Sequence, residues 1–225
     1  MQRIESIFIA GPAGRLECFL KHPAAPEAGR AGGPGTAAVV CHPHPLFGGT
    51  MHNKVVHAAA EAMVRLGIPV LRFNFRGVGV SGGTHDNGVG EQDDLRCVLD
   101  HLAGRFPGRP LLAAGYSFGS YIALRVGCAD ARVGALIAIG APVGLFNYGF
   151  LQDCRKPLAF IQGDQDSFGP LGLVLTLAAA LPGGARVLVV PGATHSFADR
   201  LDDLAIRVAE AVPPDFREAE GSGGS

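Results

Sequence analysis

The chain has 225 residues, 19 Lys and Arg against 20 Asp and Glu, and a formal net charge of −1. This length suits one domain with one large core, and a near-neutral balance without a basic run argues against nucleic acid as a partner. No apolar stretch is long enough to span a bilayer, Glu5 interrupts any secretory signal, and five cysteines at long spacings with no Cys-x-x-Cys read as reduced thiols, so a cytoplasmic, membrane-free protein without disulfides or zinc is expected.

In chain order, residues 3–9 and 16–22 read as two strands around the turn-forming Gly11-Pro12-Ala13-Gly14, which makes them an antiparallel edge pair. Residues 23–34 form a Pro/Gly/Ala loop without periodicity, and residues 36–41 a short buried strand. A helix follows with Thr50 as its N-cap, Val55, Ala59, Met63 and Leu66 on one face, and Gly67 closing it. Residues 70–74 are the next strand, leading into a glycine-rich loop at 75–83; residues 91–106 form an amphipathic helix. Further strands are expected at 111–116, 135–140, 158–162 and 186–190, with helices at 118 onward, 171–181 and 201–212. Strand and helix alternate from Thr36 on, which implies a doubly wound, mostly parallel eight-stranded α/β sheet with helices on both faces. Residues 1–214 form one domain, and residues 215–225 a tail whose Gly221-Ser222-Gly223-Gly224-Ser225 looks like an engineered linker.

The chemistry centres on Gly115-Tyr116-Ser117-Phe118-Gly119, between an apolar strand and a helix. A serine on so tight a corner is lifted out of the sheet edge at a helix N-terminus, where free N–H groups and the helix dipole favour negative charge. Serine needs a base to take its proton and a third group to orient that base, and in such a sheet both come from loops at the carboxyl ends of strands. Two downstream strands run into suitable loops: Gly163-Asp164-Gln165-Asp166 carries the acids and Gly192-Ala193-Thr194-His195 the base.

The order serine, acid, histidine resembles the α/β-hydrolase superfamily. The stretch His42-Pro43-His44-Pro45, Gly48-Gly49, Met51, Asn53-Lys54-Val55 and the small size resemble a group of bacterial serine hydrolases without a lid, near the dienelactone hydrolase branch. The resemblance implies an acid three residues past the glycine that ends its strand, which selects Asp166 and leaves Asp164 to brace the loop. It implies a catalytic set of Ser117, Asp166 and His195. It also implies oxyanion donors from the backbone N–H of Phe118 and of His44, the latter because Pro43 has no N–H.

Residues 141–154 are too short for a lid domain and, with Leu46 and Phe47, supply a candidate acyl pocket of Leu46, Phe47, Phe146, Tyr148 and Phe150. His42, His44, His52 and His57 lack standard zinc spacing and are read as loop histidines bracing backbone, so no metal and no cofactor are expected. Gly77-Val78-Gly79-Val80-Ser81-Gly82 matches a dinucleotide fingerprint formally but lies outside the first strand–helix unit, and is read as a loop shaping the site rim, with Arg76 bracing it or lying at the surface. The serine elbow does not support dienelactone hydrolase activity, which uses cysteine there. The expectation is a serine esterase (carboxylesterase) for a small-molecule ester, monomeric or homodimeric. Thioesterase or amidase activity, or a non-catalytic interaction protein of the same fold, are the alternatives.

Overall fold

The computed structural model describes residues 3–24 and 35–217, so most of the expected loop at 23–34 and the Gly/Ser stretch at 221–225 lie outside the described residues. Strands β1 (Arg3–Gly11) and β2 (Gly14–His22) pair antiparallel in register from Arg3↔His22 to Gly11↔Gly14, turning through Pro12 and Ala13. The remaining strands are β3 (Ala37–Cys41), β4 (Val70–Phe73), β5 (Leu111–Tyr116), β6 (Val133–Ile139), β7 (Leu158–Gly163) and β8 (Arg186–Val190). The sheet order is β1-β2-β4-β3-β5-β6-β7-β8, and every pair from β4 through β8 is parallel. In β3, β4, β5 and β7 every residue is buried, as expected of strands covered on both faces; the runs are apolar but for Arg72 and Gln162.

Among the described residues five α-helices cover the sheet: α1 (Lys54–Arg65), α2 (Gly90–Arg105), α3 (Phe118–Ala129), α4 (Leu171–Ala180) and α5 (Leu201–Ala211). α2, α3 and α4 pack on one face around Phe73, Leu99, Ile122, Leu136 and Phe160. α1 and α5 pack on the other around Val40, Met63, Ile137, Ile161 and Val208. Each fully buried Leu or Phe in these layers contributes about 1.5–3 kcal/mol. No described helix is long and apolar enough to cross a membrane.

Two boundaries move from their expected places. α1 is capped by Asn53, whose Oδ1 accepts from the Val55 N–H at 2.9 Å, and not by Thr50. Thr50 instead lies in a turn that ends at Asn53, its Oγ1 accepting from the His52 N–H at 3.2 Å, while the neighbouring Met51 N–H donates to Asn74 Oδ1 at 2.8 Å. At the other end the packed body runs past residue 214. Phe216 is buried in the second core layer and the Arg217 guanidinium donates to the carbonyls of Ala209 and Val212.

β4 lies on one side of β3 and β5 on the other. The loops leaving β3 and β5 therefore diverge and open a crevice at the carboxyl ends of the strands.

Candidate active site

Ser117 is the single residue between β5 and α3, with φ 54° and ψ −124°. A positive φ costs a residue with a Cβ about 1–3 kcal/mol and persists only where the surroundings hold it. Here the Ser117 N–H donates to the Ile139 carbonyl at 2.9 Å, and its own carbonyl accepts from the Ser120 N–H at 2.9 Å and the Ser120 hydroxyl at 2.6 Å. The flanking glycines are steric necessities. A Cβ on Gly115 would lie 2.1 Å from the Gly119 carbonyl oxygen, and one on Gly119 would lie 2.4 Å from that of His42. The second contact also shows how closely the β3 loop approaches the elbow.

The loops after β7 and β8 meet at this corner. His195 Nε2 is 2.9 Å from Ser117 Oγ, and His195 Nδ1 is 2.8 Å from Asp166 Oδ2. The Asp166 side chain is fully buried, and the polar groups bonded to its carboxylate are all donors. Oδ1 accepts from the N–H groups of Phe168 at 2.8 Å and Gly169 at 3.0 Å, and Oδ2 accepts from Gln162 Nε2 at 2.8 Å. These donors satisfy both oxygens of the buried side chain. With Asp166 accepting, Nδ1 of His195 carries the proton and Nε2 presents its lone pair to Ser117. The Tyr116 hydroxyl donates to the His195 carbonyl at 2.8 Å and Phe168 lies against the imidazole, which fixes the ring's plane. Asp164 takes the bracing place: its Oδ1 accepts from the Gly192 N–H at 2.7 Å and joins the two loops.

Phe118 is the first residue of α3, so its N–H is among those with no acceptor inside the helix. His44 stands at the start of a 3-10 turn, Pro45–Phe47, with its ring 4.9 Å from that of Phe118. The His44 carbonyl accepts from Phe47 and Gly49 and its Nδ1 from Leu46, while its own N–H meets no acceptor among the described residues. Burial, with His85 alongside, lowers the His44 pKa.

His42 does the bracing read for this group of histidines. It is fully buried, Nδ1 donates to the Pro43 carbonyl at 2.6 Å, and Nε2 accepts from the Phe75 N–H at 3.0 Å. Burial brings its pKa down to about 4, so the ring is neutral and can do both. Among the described residues, no group of three or more His, Cys, Asp or Glu is arranged to hold a metal ion.

A cleft of about 270 Å³ opens over Ser117 and His195. Of the five expected pocket residues, Phe47 and Phe146 line it. The other three do not. Successive side chains of a 3-10 turn diverge by a third of a circle, so Leu46 points to solvent, 70% exposed. Tyr148 and Phe150 turn inward against Tyr121 on α3, and Phe150 packs under the Arg125 guanidinium. The walls not foreseen are Pro43, Pro142, Leu145, Phe168, Tyr116 and Asn53. The rim assignment of the glycine-rich loop also changes. None of residues 77–83 lines the cleft; Ser81 and Val80 are tied to Glu17 and Asn74 beside β2 and β4. Arg76 does brace this region, through a bidentate pair with the fully buried Asp94 of α2.

Residues 36–161 match the model of the family described as serine aminopeptidase, S33. A Xanthomonas campestris crystal structure described as an α/β serine hydrolase without lid is 36% identical, with a TM-score of 0.85 over 93% of this chain and 94% of that one. The chain belongs to the α/β serine hydrolases, in that family. A serine hydrolase homologue from Coxiella burnetii is 37% identical, TM-score 0.83, covering 93% of this chain and 97% of its own. Among curated relatives, a Rickettsia prowazekii protein is 40% identical over 165 residues, 72% of this chain and 66% of its own length. This α/β serine hydrolase thus spans about two thirds of the curated relatives that it matches.

Proposed function

We propose that this serine hydrolase cleaves small carboxylic esters through an acyl-enzyme on Ser117. The observation that carries the reading is the continuous chain from Ser117 Oγ to His195 Nε2, 2.9 Å, and from His195 Nδ1 to Asp166 Oδ2, 2.8 Å. His195 takes the hydroxyl proton as Ser117 attacks the carbonyl. Asp166 holds the tautomer and offsets the imidazolium charge. The N–H groups of Phe118 and His44, at the positive end of α3, receive the oxyanion, and each such donor is worth roughly 3 kcal/mol in the transition state. His195 then protonates the leaving alcohol, and water releases the acyl group by the same roles reversed.

The cleft favours esters over peptides with a free N-terminus. Binding an α-ammonium group requires a carboxylate, and none of the described residues that line the cleft is Asp or Glu. Fold neighbours described as esterases, such as one from Pyrococcus furiosus with TM-score 0.77 and 18% identity, have the same architecture. The small, lidless, largely apolar cleft suits short to medium acyl groups, without interfacial activation.

The test is intact mass after fluorophosphonate treatment of wild type and Ser117→Ala, followed by rates on matched ester, thioester and anilide substrates. One adduct in the wild type, none in the variant, and a loss of at least about 10⁴-fold in ester turnover are expected. Faster thioester or anilide cleavage would replace the ester assignment, and no adduct in folded wild type would remove the mechanism.

A further inference from the structure

Asn53 belongs to the His42–Val55 stretch, yet neither the triad nor the oxyanion donors use its side chain. It lines the same cleft as Ser117 and His195. Its Oδ1 accepts from the Val55 N–H at 2.9 Å, and since a backbone N–H can only be met by the oxygen of the amide, this bond assigns Nδ2 to the opposite side. Nδ2 has no acceptor among the described residues. A nearby asparagine with a purely structural task differs. Asn74 uses both ends, Oδ1 accepting from the Met51 N–H at 2.8 Å and Nδ2 donating to Glu17 Oε2 at 2.8 Å.

The other polar side chains of the cleft are engaged. The Tyr116 hydroxyl donates to the His195 carbonyl, Ser117 and His195 bond to each other, and His44 Nδ1 accepts from Leu46. The remaining walls are Pro, Leu and Phe. A donor held by a helix cap in an apolar cleft loses affinity for anything that cannot replace its water.

We propose that the Asn53 side-chain amide, oriented by its cap bond to Val55, donates a hydrogen bond to the substrate, which is therefore a small ester carrying a second, uncharged oxygen acceptor (ether, hydroxyl or carbonyl) beside the scissile group. None of the described residues that line the cleft is Lys or Arg, so a carboxylate at that place is not matched. The assignment of an ester rests on the reading above; the donor role of Asn53 does not depend on turnover.

The test separates the cap from the donor. Asp and Ser cap helices about as well as Asn, so Asn53→Asp and Asn53→Ser keep α1 and remove the amide. Two isosteric pairs probe the two sides of the ester: p-nitrophenyl methoxyacetate against p-nitrophenyl butyrate, and 2-methoxyethyl acetate against butyl acetate. The ratio of kcat/KM for ether over alkyl, divided between wild type and variant, cancels intrinsic reactivity. In at least one pair this preference falls by about three- to tenfold in both variants, as loss of one hydrogen bond requires, with Tm held. A fall below about threefold in both pairs would leave Asn53 a helix cap only and overturn the proposal. The same ratio is read as dissociation constants in Ser117→Ala and its double variants with Asn53. If wild type hydrolyses none of the four esters, the esterase reading fails while these affinities still decide the role of Asn53.

Discussion

The two sides of the cleft are built differently. On the side of β7 and β8, every polar atom around Asp166 is paired: four donors surround the carboxylate, and Gln162 also bonds the Gly169 carbonyl and the Ala141 N–H. On the side of the β3 loop, His42 braces the base, but above it Leu46 and Phe47 stand 70% and 86% exposed and Asn53 keeps a free donor. The first side is over-determined and sets proton positions. The second has few constraints beyond its backbone, so its side chains can shape what binds without disturbing the chemistry.

Perturbations of the first side have the largest effects. Asp166→Asn keeps the shape but reverses the tautomer that His195 presents to Ser117; kcat on an ester falls by about 10⁴-fold while circular dichroism is unchanged. Gln162→Leu orphans the Gly169 carbonyl and the Ala141 N–H and removes one donor from Asp166. Denaturant unfolding then shows a loss of about 2–3 kcal/mol, and kcat drops by more than KM changes.

The base of the second side responds to acid. Burial keeps folded His42 neutral, with a pKa of about 4 against 6.5 for an exposed imidazole. Between these values the unfolded chain binds the extra proton, so stability is fully present above about pH 6.5 and lost as pH falls toward 4. The loss is about 1.4 kcal/mol per pH unit, roughly 3 kcal/mol in all. Unfolding curves across this range should show wild type losing this stability as pH falls, while His42→Gln, which has no proton to take up there, lacks that part of the slope. An equal acid dependence in both proteins would assign it elsewhere.

The rim gives the smallest effect and the sharpest contrast. Phe47→Ala raises KM for butyrate esters by about two- to fivefold, because Phe47 lines the cleft, whereas the adjacent Leu46→Ala leaves KM within error; neither shifts stability by more than about 0.5 kcal/mol. A chain-length series on both variants checks this.

Most of the fold was legible because strands covered on both faces must be continuous apolar runs, as in residues 37–41 and 111–116, and because a serine corner demands glycines where Gly115 and Gly119 stand. The proposed set of Ser117, His195 and Asp166 was legible because its members sit at the ends of such strands. The cleft was not. Its walls come from separate loops, and whether Tyr148 or Leu145 faces Ser117 depends on how the 141–154 segment seats its rings against Tyr121. The start of α1 was equally local in appearance and non-local in fact. Thr50 and Asn53 are both good caps and each accepts the N–H two residues on, from His52 and Val55; the helix begins at the second, and the turn before it is tied through the Met51 N–H to Asn74, in the chain after β4.

By itself the sequence determined the strand order in time, the elbow and the residues able to move a proton, since these follow from backbone sterics and side-chain chemistry within short segments. Long-range packing alone set the remaining partners: what Gln162 holds, and that the Asn53 side chain lines the cleft. Those are contacts between residues far apart in the chain, and a hydrogen bond has an orientation only once both of its ends are in place.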